Sequence, residues 1–194
     1  MIGKLALLIS ILVTVLIAQK FLRVNYKKRK HKRNIITGEK IIAKLRNFNG
    51  KFRNQQIITY LRKIDPYVFE ELILSCLINK GYQIKRNKSY SGDGGLDGIF
   101  YHNNKKFLLQ VKRYTNQIKP SHLNEFSALI RCKKANGGWF IHTGNTSEKT
   151  YNIYRNSNIK IVSGNQLIDL LLENKNEAKP KTTDFQKSIL TSQT

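Results

Sequence analysis

The chain has 194 residues, with 35 Lys and Arg against 12 Asp and Glu, giving a formal net charge of +23 and a pI near 10.2. Hydrophobic residues make up 40% of it, which excludes wholesale disorder and leaves room for about one packed domain with appendages. An excess of this size implies a polyanionic partner, either nucleic acid or an anionic lipid surface.

The charge is uneven. Residues 1–64 hold 16 Lys and Arg and one acid, Glu39, so the first third is a different object from the rest. Residues 5–18 are apolar apart from Ser10 and Thr14, and Ile2, Gly3, Phe21 and Leu22 extend the run. A helix over residues 2–22 would be about 31 Å long at ~1.5 Å per residue, enough for a bilayer core of ~30 Å. Lys4 and Lys20 sit near its ends, where ammonium groups can snorkel to headgroups. No small-x-small cleavage site follows, so an uncleaved anchor is expected rather than a signal peptide.

The next segment carries Arg23, Lys27, Lys28, Arg29, Lys30, Lys32 and Arg33, which resist translocation. The expected topology is therefore a single-pass protein of the cytoplasmic membrane with its C-terminal domain in the cytoplasm. Residues 23–33 could also lie on anionic lipid, at about 1 kcal/mol per charge. Residues 23–64 read as a basic juxtamembrane segment and connector. Within it, Ile57, Ile58, Leu61 and Ile64 mark a short amphipathic helix after the Asn49-Gly50 turn.

Residues 65–173 read as one α/β domain. Asp65 and Pro66 start a helix whose apolar stripe is Phe69, Leu72, Ile73, Cys76 and Leu77, and Gly81 stops it. Strands are expected at 82–86, 96–101 and 106–113, then a helix at 121–134, a strand at 138–142, a helix at 147–156, a strand at 159–162 and a helix at 164–173. That order predicts a mixed sheet sandwiched by helices. Residues 174–194 lack periodicity and read as a disordered tail. Two cysteines, Cys76 and Cys132, provide neither a disulfide framework nor a Cys-x-x-Cys metal spacing, and Cys76 on the apolar stripe reads as a core residue.

Residues 91–113 carry the chemistry. Gln110 and Lys112 alternate with Leu109 and Val111, so both point to one face of their strand. If the turn around Asn103-Asn104 has two or four residues, paired positions sum to 207, and Asp97 lies opposite Gln110 with Lys112 one step along. A carboxylate, an amide oxygen and an ammonium then converge, and hard oxygen ligands beside a lysine suit a magnesium ion handling phosphate. On the first helix Glu70 flanks the sheet-facing side and could reach that spot, whereas Glu71 is expected to face solvent. Gly92, Gly94, Gly95 and Gly98 would permit close backbone approach of a ligand. Taken singly, each residue has an ordinary structural explanation: Asp-Gly as a turn, Gln at a strand edge, Glu in water. Together, in one spatial cluster, they favour a site. His102 and His142 lack such geometry and read as surface or core histidines.

The motifs Asp65-Pro with Phe69-Glu70-Glu71, Lys80-Gly81-Tyr82, Gly92-Asp93-Gly94-Gly95-Leu96-Asp97-Gly98 and Gln110-Val111-Lys112-Arg113-Tyr114 resemble the Mrr-type restriction endonucleases of the PD-(D/E)xK superfamily. The resemblance covers about residues 64–173, ending with the Ile161-Val162 to Leu167 stretch, and implies a restriction-endonuclease-like α/β fold, here preceded by a single transmembrane helix. It implies that Asp97 is the main Mg2+ ligand, with Gln110 in the position usually held by Glu or Asp. It gives Lys112 the attacking water and the phosphate charge, and Glu70 the helix contribution; Asp93 shapes the glycine loop. Double-stranded DNA is the implied partner, with Lys85, Arg86, Lys88, Arg113, Lys119 and Lys133 as candidate phosphate contacts and a homodimer as a candidate assembly. The expected function is a membrane-anchored, magnesium-dependent DNA endonuclease acting in restriction or defence. Its rivals are a catalytically inactive DNA tether, which the intact Asp97, Gln110 and Lys112 set disfavours, and a structural membrane protein, which leaves residues 91–113 unexplained.

Overall fold

The computed structural model describes residues 2–86 and 95–173. It begins with one uninterrupted helix, α1 (Ile2–Arg46), followed by α2 (Arg53–Leu61) and α3 (Pro66–Asn79). Then come β1 (Gln83–Arg86), β2 (Gly98–His102), β3 (Lys105–Lys112), α4 (Pro120–Cys132), β4 (Gly137–His142), α5 (Glu148–Tyr154), β5 (Ile159–Val162) and α6 (Gly164–Leu172). Asp93, Gly92, Gly94, Lys88 and the tail from residue 174 lie outside the described residues.

The five strands lie in sequence order; β1, β2 and β3 pair antiparallel, and β3, β4 and β5 pair parallel. The parallel steps need crossovers, which α4 and α5 supply. Alternation along β3 divides the core between the two faces of the sheet. Phe107, Leu109 and Val111 join α1, α2, α3 and α6 on one side, and Leu108 joins Leu123, Phe126, Phe140 and Ile161 on the other.

Local chemistry sets the element ends. The Asp65 carboxylate caps α3 by accepting the Tyr67 and Val68 N–H groups at 2.8 and 3.2 Å, with Pro66 at the first turn. The β2–β3 turn is the two-residue pair Asn103 and Asn104, at φ 49° and 61°, a conformation asparagine tolerates and tight hairpins require.

The N-terminal third departs from the sequence expectation in one respect. The connector is part of the fold: Ile41, Ile42, Leu45, Ile57 and Leu61 are all buried in the core beneath the sheet. Gly38 brings α1 so close to α3 that a Cβ there would lie 3.0 Å from the Leu72 backbone. By contrast, residues 9–24 of α1 are exposed throughout, including Leu12, Leu16, Phe21 and Leu22. By length and composition α1 could cross a membrane, and none of its apolar window is buried against the protein.

Candidate active site

The hairpin register is the feature that assembles the site. Gly98 pairs with Leu109 and Ile99 with Leu108, so the pairs sum to 207 and the next step sets Asp97 opposite Gln110. Two hydrogen bonds fix Asp97 there. Its N–H donates to the Leu109 carbonyl at 2.9 Å, and its Oδ2 accepts the Val111 N–H at 2.7 Å. These bonds bracket Gln110, which is 8% exposed and whose Oε1 is buried with no hydrogen-bond partner among the described residues. Lys112 ends β3 on the same face.

Gly95 closes the cluster from above. With φ at +80° it occupies a conformation that glycine adopts without strain, and a Cβ on it would meet Gln110 Nε2 at 2.7 Å and Lys112 Nζ at 3.2 Å. Its bareness therefore makes room for the site's own side chains. Gly98 serves packing, since its Cβ would meet Leu74 of α3 at 3.1 Å. These two positions need glycine for internal fit, where the sequence had suggested room for a ligand.

Glu70 projects from the first turns of α3, half-buried, close enough to feel both Asp97 and Lys112. Burial first, then the Asp97 carboxylate, pushes its carboxyl up to about 8, against the pull of Lys112. Burial likewise pushes Asp97 up to about 6; the Val111 N–H and Lys112 oppose the shift, and the Glu71 carboxylate adds to it. Two oxygen acids thus share a pocket in which ionising both is costly. Among the described residues no group of three His, Cys, Asp or Glu side chains forms a metal cluster. The donor set is two carboxyls and one unpartnered amide oxygen, an all-oxygen combination that fits a hard divalent cation.

Glu71 does not face solvent as the helical wheel suggested. It is 2% exposed, because α1 covers the back of α3. Arg86 Nε–H donates to its Oε2 at 3.0 Å, His31 Nδ1 of α1 lies 3.1 Å from Oε1, and the Arg86 guanidinium also reaches Ser75 Oγ at 2.9 Å.

The candidate phosphate contacts scatter. Arg86 is committed to Glu71, while Lys85 is exposed on β1. Arg113 is exposed just past the C-terminal end of β3, where its Nη1–H donates to the Ile64 carbonyl at 2.6 Å, and Lys119 is exposed just before α4. Lys133 lies at the far end of α4, where its carbonyl accepts Lys106 Nζ at 2.8 Å beside the hairpin strand. Lys88 is outside the described residues.

His142 is fully buried, pairs with Lys112 across the β3–β4 register, and is the core histidine expected. Burial, then His122 and Arg62, hold its imidazole down to about 4, so it is neutral beside the cluster. His102 is exposed at the hairpin. Arg62 was not singled out in the sequence. Its Nε–H donates to the Thr143 carbonyl at 2.9 Å, tying the segment before α3 to the end of β4. No local pattern marks that role, which needs both chain segments in place.

A family model described as Mrr_cat, restriction endonuclease, matches residues 61–171. Comparison with curated proteins found no match. Among solved structures, the chain is similar to the MspJI restriction endonuclease in complex with a 27-mer oligonucleotide, at 18% identity and a TM-score of 0.45, covering 72% of this chain and 34% of that one. It is also similar to the DNA modification-dependent restriction endonuclease AspBHI, at 18% identity and a TM-score of 0.43, covering 76% of this chain and 42% of that one. The chain therefore spans between a third and a half of the length of these structures.

Proposed function

The chain belongs to the Mrr_cat restriction endonuclease family, and on that footing we propose that it is a membrane-anchored endonuclease that hydrolyses phosphodiester bonds in DNA with a divalent cation, Mg2+. The observation that carries this reading is the convergence of Asp97, Gln110 and Lys112 on one hairpin, with the Glu70 carboxyl pushed up to about 8 beside them. That is an oxygen-rich pocket whose charge calls for a cation, next to a lysine.

In this mechanism Asp97, Gln110 Oε1 and Glu70 would hold the ion. When bound, it supplies Lewis-acid polarisation of the phosphate and a lowered pKa for a nucleophilic water. The chain's own residues do the positioning. The Val111 N–H holds one Asp97 oxygen and so orients the other. Gly95 leaves room for the Gln110 amide, whose Oε1 is buried and unpartnered among the described residues. Lys112 orients the water and stabilises charge that grows on the phosphate oxygens in the transition state. Neutral His142 beside Lys112 adds no competing positive charge. Arg113 and Lys119 are the candidates that lie near enough to the catalytic end to position the backbone of a duplex.

The anchor reading rests on the exposed apolar window of α1 and the cations that follow it, which favour a cytoplasmic catalytic domain. The test is plasmid nicking and cleavage by the full chain in neutral-lipid nanodiscs, with and without Mg2+. Cleavage that requires the ion and is abolished by Asp97→Asn supports the reading. Equal activity of parent and Asp97→Asn sinks it.

A further inference from the structure

The direction in which α1 leaves the domain has a consequence for substrate binding. Its docked face is a single stripe at helical spacing, His31, Asn34, Gly38, Ile41, Ile42 and Leu45, and each of these is buried or half-buried. Along α3 the contacts run in the same sense. Lys30 Nζ sits 5.1 Å from the Tyr67 ring, His31 meets Glu71, and Gly38 meets Leu72. The free part of α1 therefore departs past the N-terminus of α3. The same end of α3 is tied to the C-terminal ends of β3 and β4, through Arg113 on the Ile64 carbonyl and Arg62 on the Thr143 carbonyl. This is the end that carries Glu70, Asp97 and Lys112.

The arm thus projects in front of the catalytic end. Stepping back along the docked stripe by four residues from His31 gives Lys27, and by four more gives Arg23. Both are exposed and continue the docked face of α1 beyond the domain, within about 12 Å of His31 along the axis at ~1.5 Å per residue. Arg29 and Lys32, also exposed, occupy the opposite side of the helix. The basic run is therefore two different surfaces. We propose that Arg23 and Lys27 form one wall of the nucleic-acid path, contacting phosphates of a duplex engaged at the catalytic end, and that Arg29 and Lys32 do not. This rests on the nuclease reading for its ligand, but its evidence is the geometry of α1.

The test compares two charge-matched pairs in the full chain, held in phosphatidylcholine nanodiscs that offer no anionic lipid. Binding of a fluorescent duplex is measured in EDTA between 50 and 200 mM salt, so that no cleavage intervenes. Each lost phosphate contact lowers the slope of log K against log salt by ~0.9. Arg23→Gln with Lys27→Gln is expected to lower it by about 1–2, and Arg29→Gln with Lys32→Gln to leave it near that of the parent. Equal effects of the two pairs would mean that the run acts as an undirected cationic collar, and would overturn the proposal, as would no effect of the inner pair or no duplex binding by the parent. Absence of Mg2+-dependent cleavage by the parent would instead defeat the nuclease reading and leave the slope contrast standing.

Discussion

Glu70 and Glu71 are neighbours on α3 with opposite fates. Glu71 is buried and paired with Arg86 from β1, with the His31 ring of α1 packed on its other oxygen. Glu70 is half-buried beside another carboxyl, and its strongest electrostatic neighbour is Asp97. The Arg86 guanidinium goes to Glu71, and Glu70 has Lys112 near it but Asp97 pushing harder. A buried acid that is paired holds elements together, whereas a half-buried acid set against a second acid marks a candidate functional site. One residue of helical rotation separates the two roles.

The contrast breaks most visibly in activity. Asp97→Asn and Lys112→Ala should each lower plasmid cleavage in Mg2+ on the order of 100–1000-fold, with the unfolding midpoint of the protein little changed. Glu71→Ala should do the reverse. Removing one member of a buried pair leaves uncompensated charge and costs about 3 kcal/mol of stability, read from urea unfolding. A Glu71→Ala variant as stable as the parent would show that α1 is not fastened through this pair. Next in size, Gly38→Ala should destabilise by about 1 kcal/mol. Overpacking against the Leu72 backbone costs about 1–3 kcal/mol, and the better helix propensity of alanine returns up to ~1.

The hairpin register that sets Asp97 opposite Gln110 was legible in the sequence, and the surroundings of Glu71 were not. Period-two alternation and a two-residue Asn-Asn turn are local facts, and together they set the pairing sum that puts Asp97 opposite Gln110. The element order of residues 65–173 followed from the same kind of local signal, with boundaries off by one or two residues. Glu71 was misplaced because a wheel drawn on α3 knows only α3's own apolar stripe; α1 supplies a second wall from forty residues upstream. The α1 stripe itself was hidden among lysines, and three of its members, His31, Asn34 and Gly38, are not apolar. Gly95 and Gly98 read as openings because a sequence shows a missing side chain without showing which neighbour fills the space.

The smallest effect sharpens the comparison through pH. Asp97 and Glu70 have folded-state values raised to about 6 and about 8, from ordinary values of 3.8 and 4.5. Each group therefore binds its proton more tightly when folded. Its contribution to stability is complete below the ordinary value and is lost as pH rises through the folded one. The metal-free protein should accordingly lose stability progressively from about pH 4 to pH 8, with the upper part of the decline belonging to Glu70. Glu70 keeps contact with water, so screening makes this loss modest. Glu70→Gln should flatten the upper limb in thermal unfolding followed by circular dichroism. Mg2+ should stabilise the parent more at pH 8 than at pH 5, because ligation requires the carboxylates deprotonated. Glu71→Gln should leave the shape of the Mg2+ response unaltered, since that carboxylate already pairs with Arg86 within the chain. If Mg2+ restored the Glu71→Gln variant less than the parent at pH 8, the two neighbouring acids would be one coupled system, and the division between fastening and binding on α3 would fail.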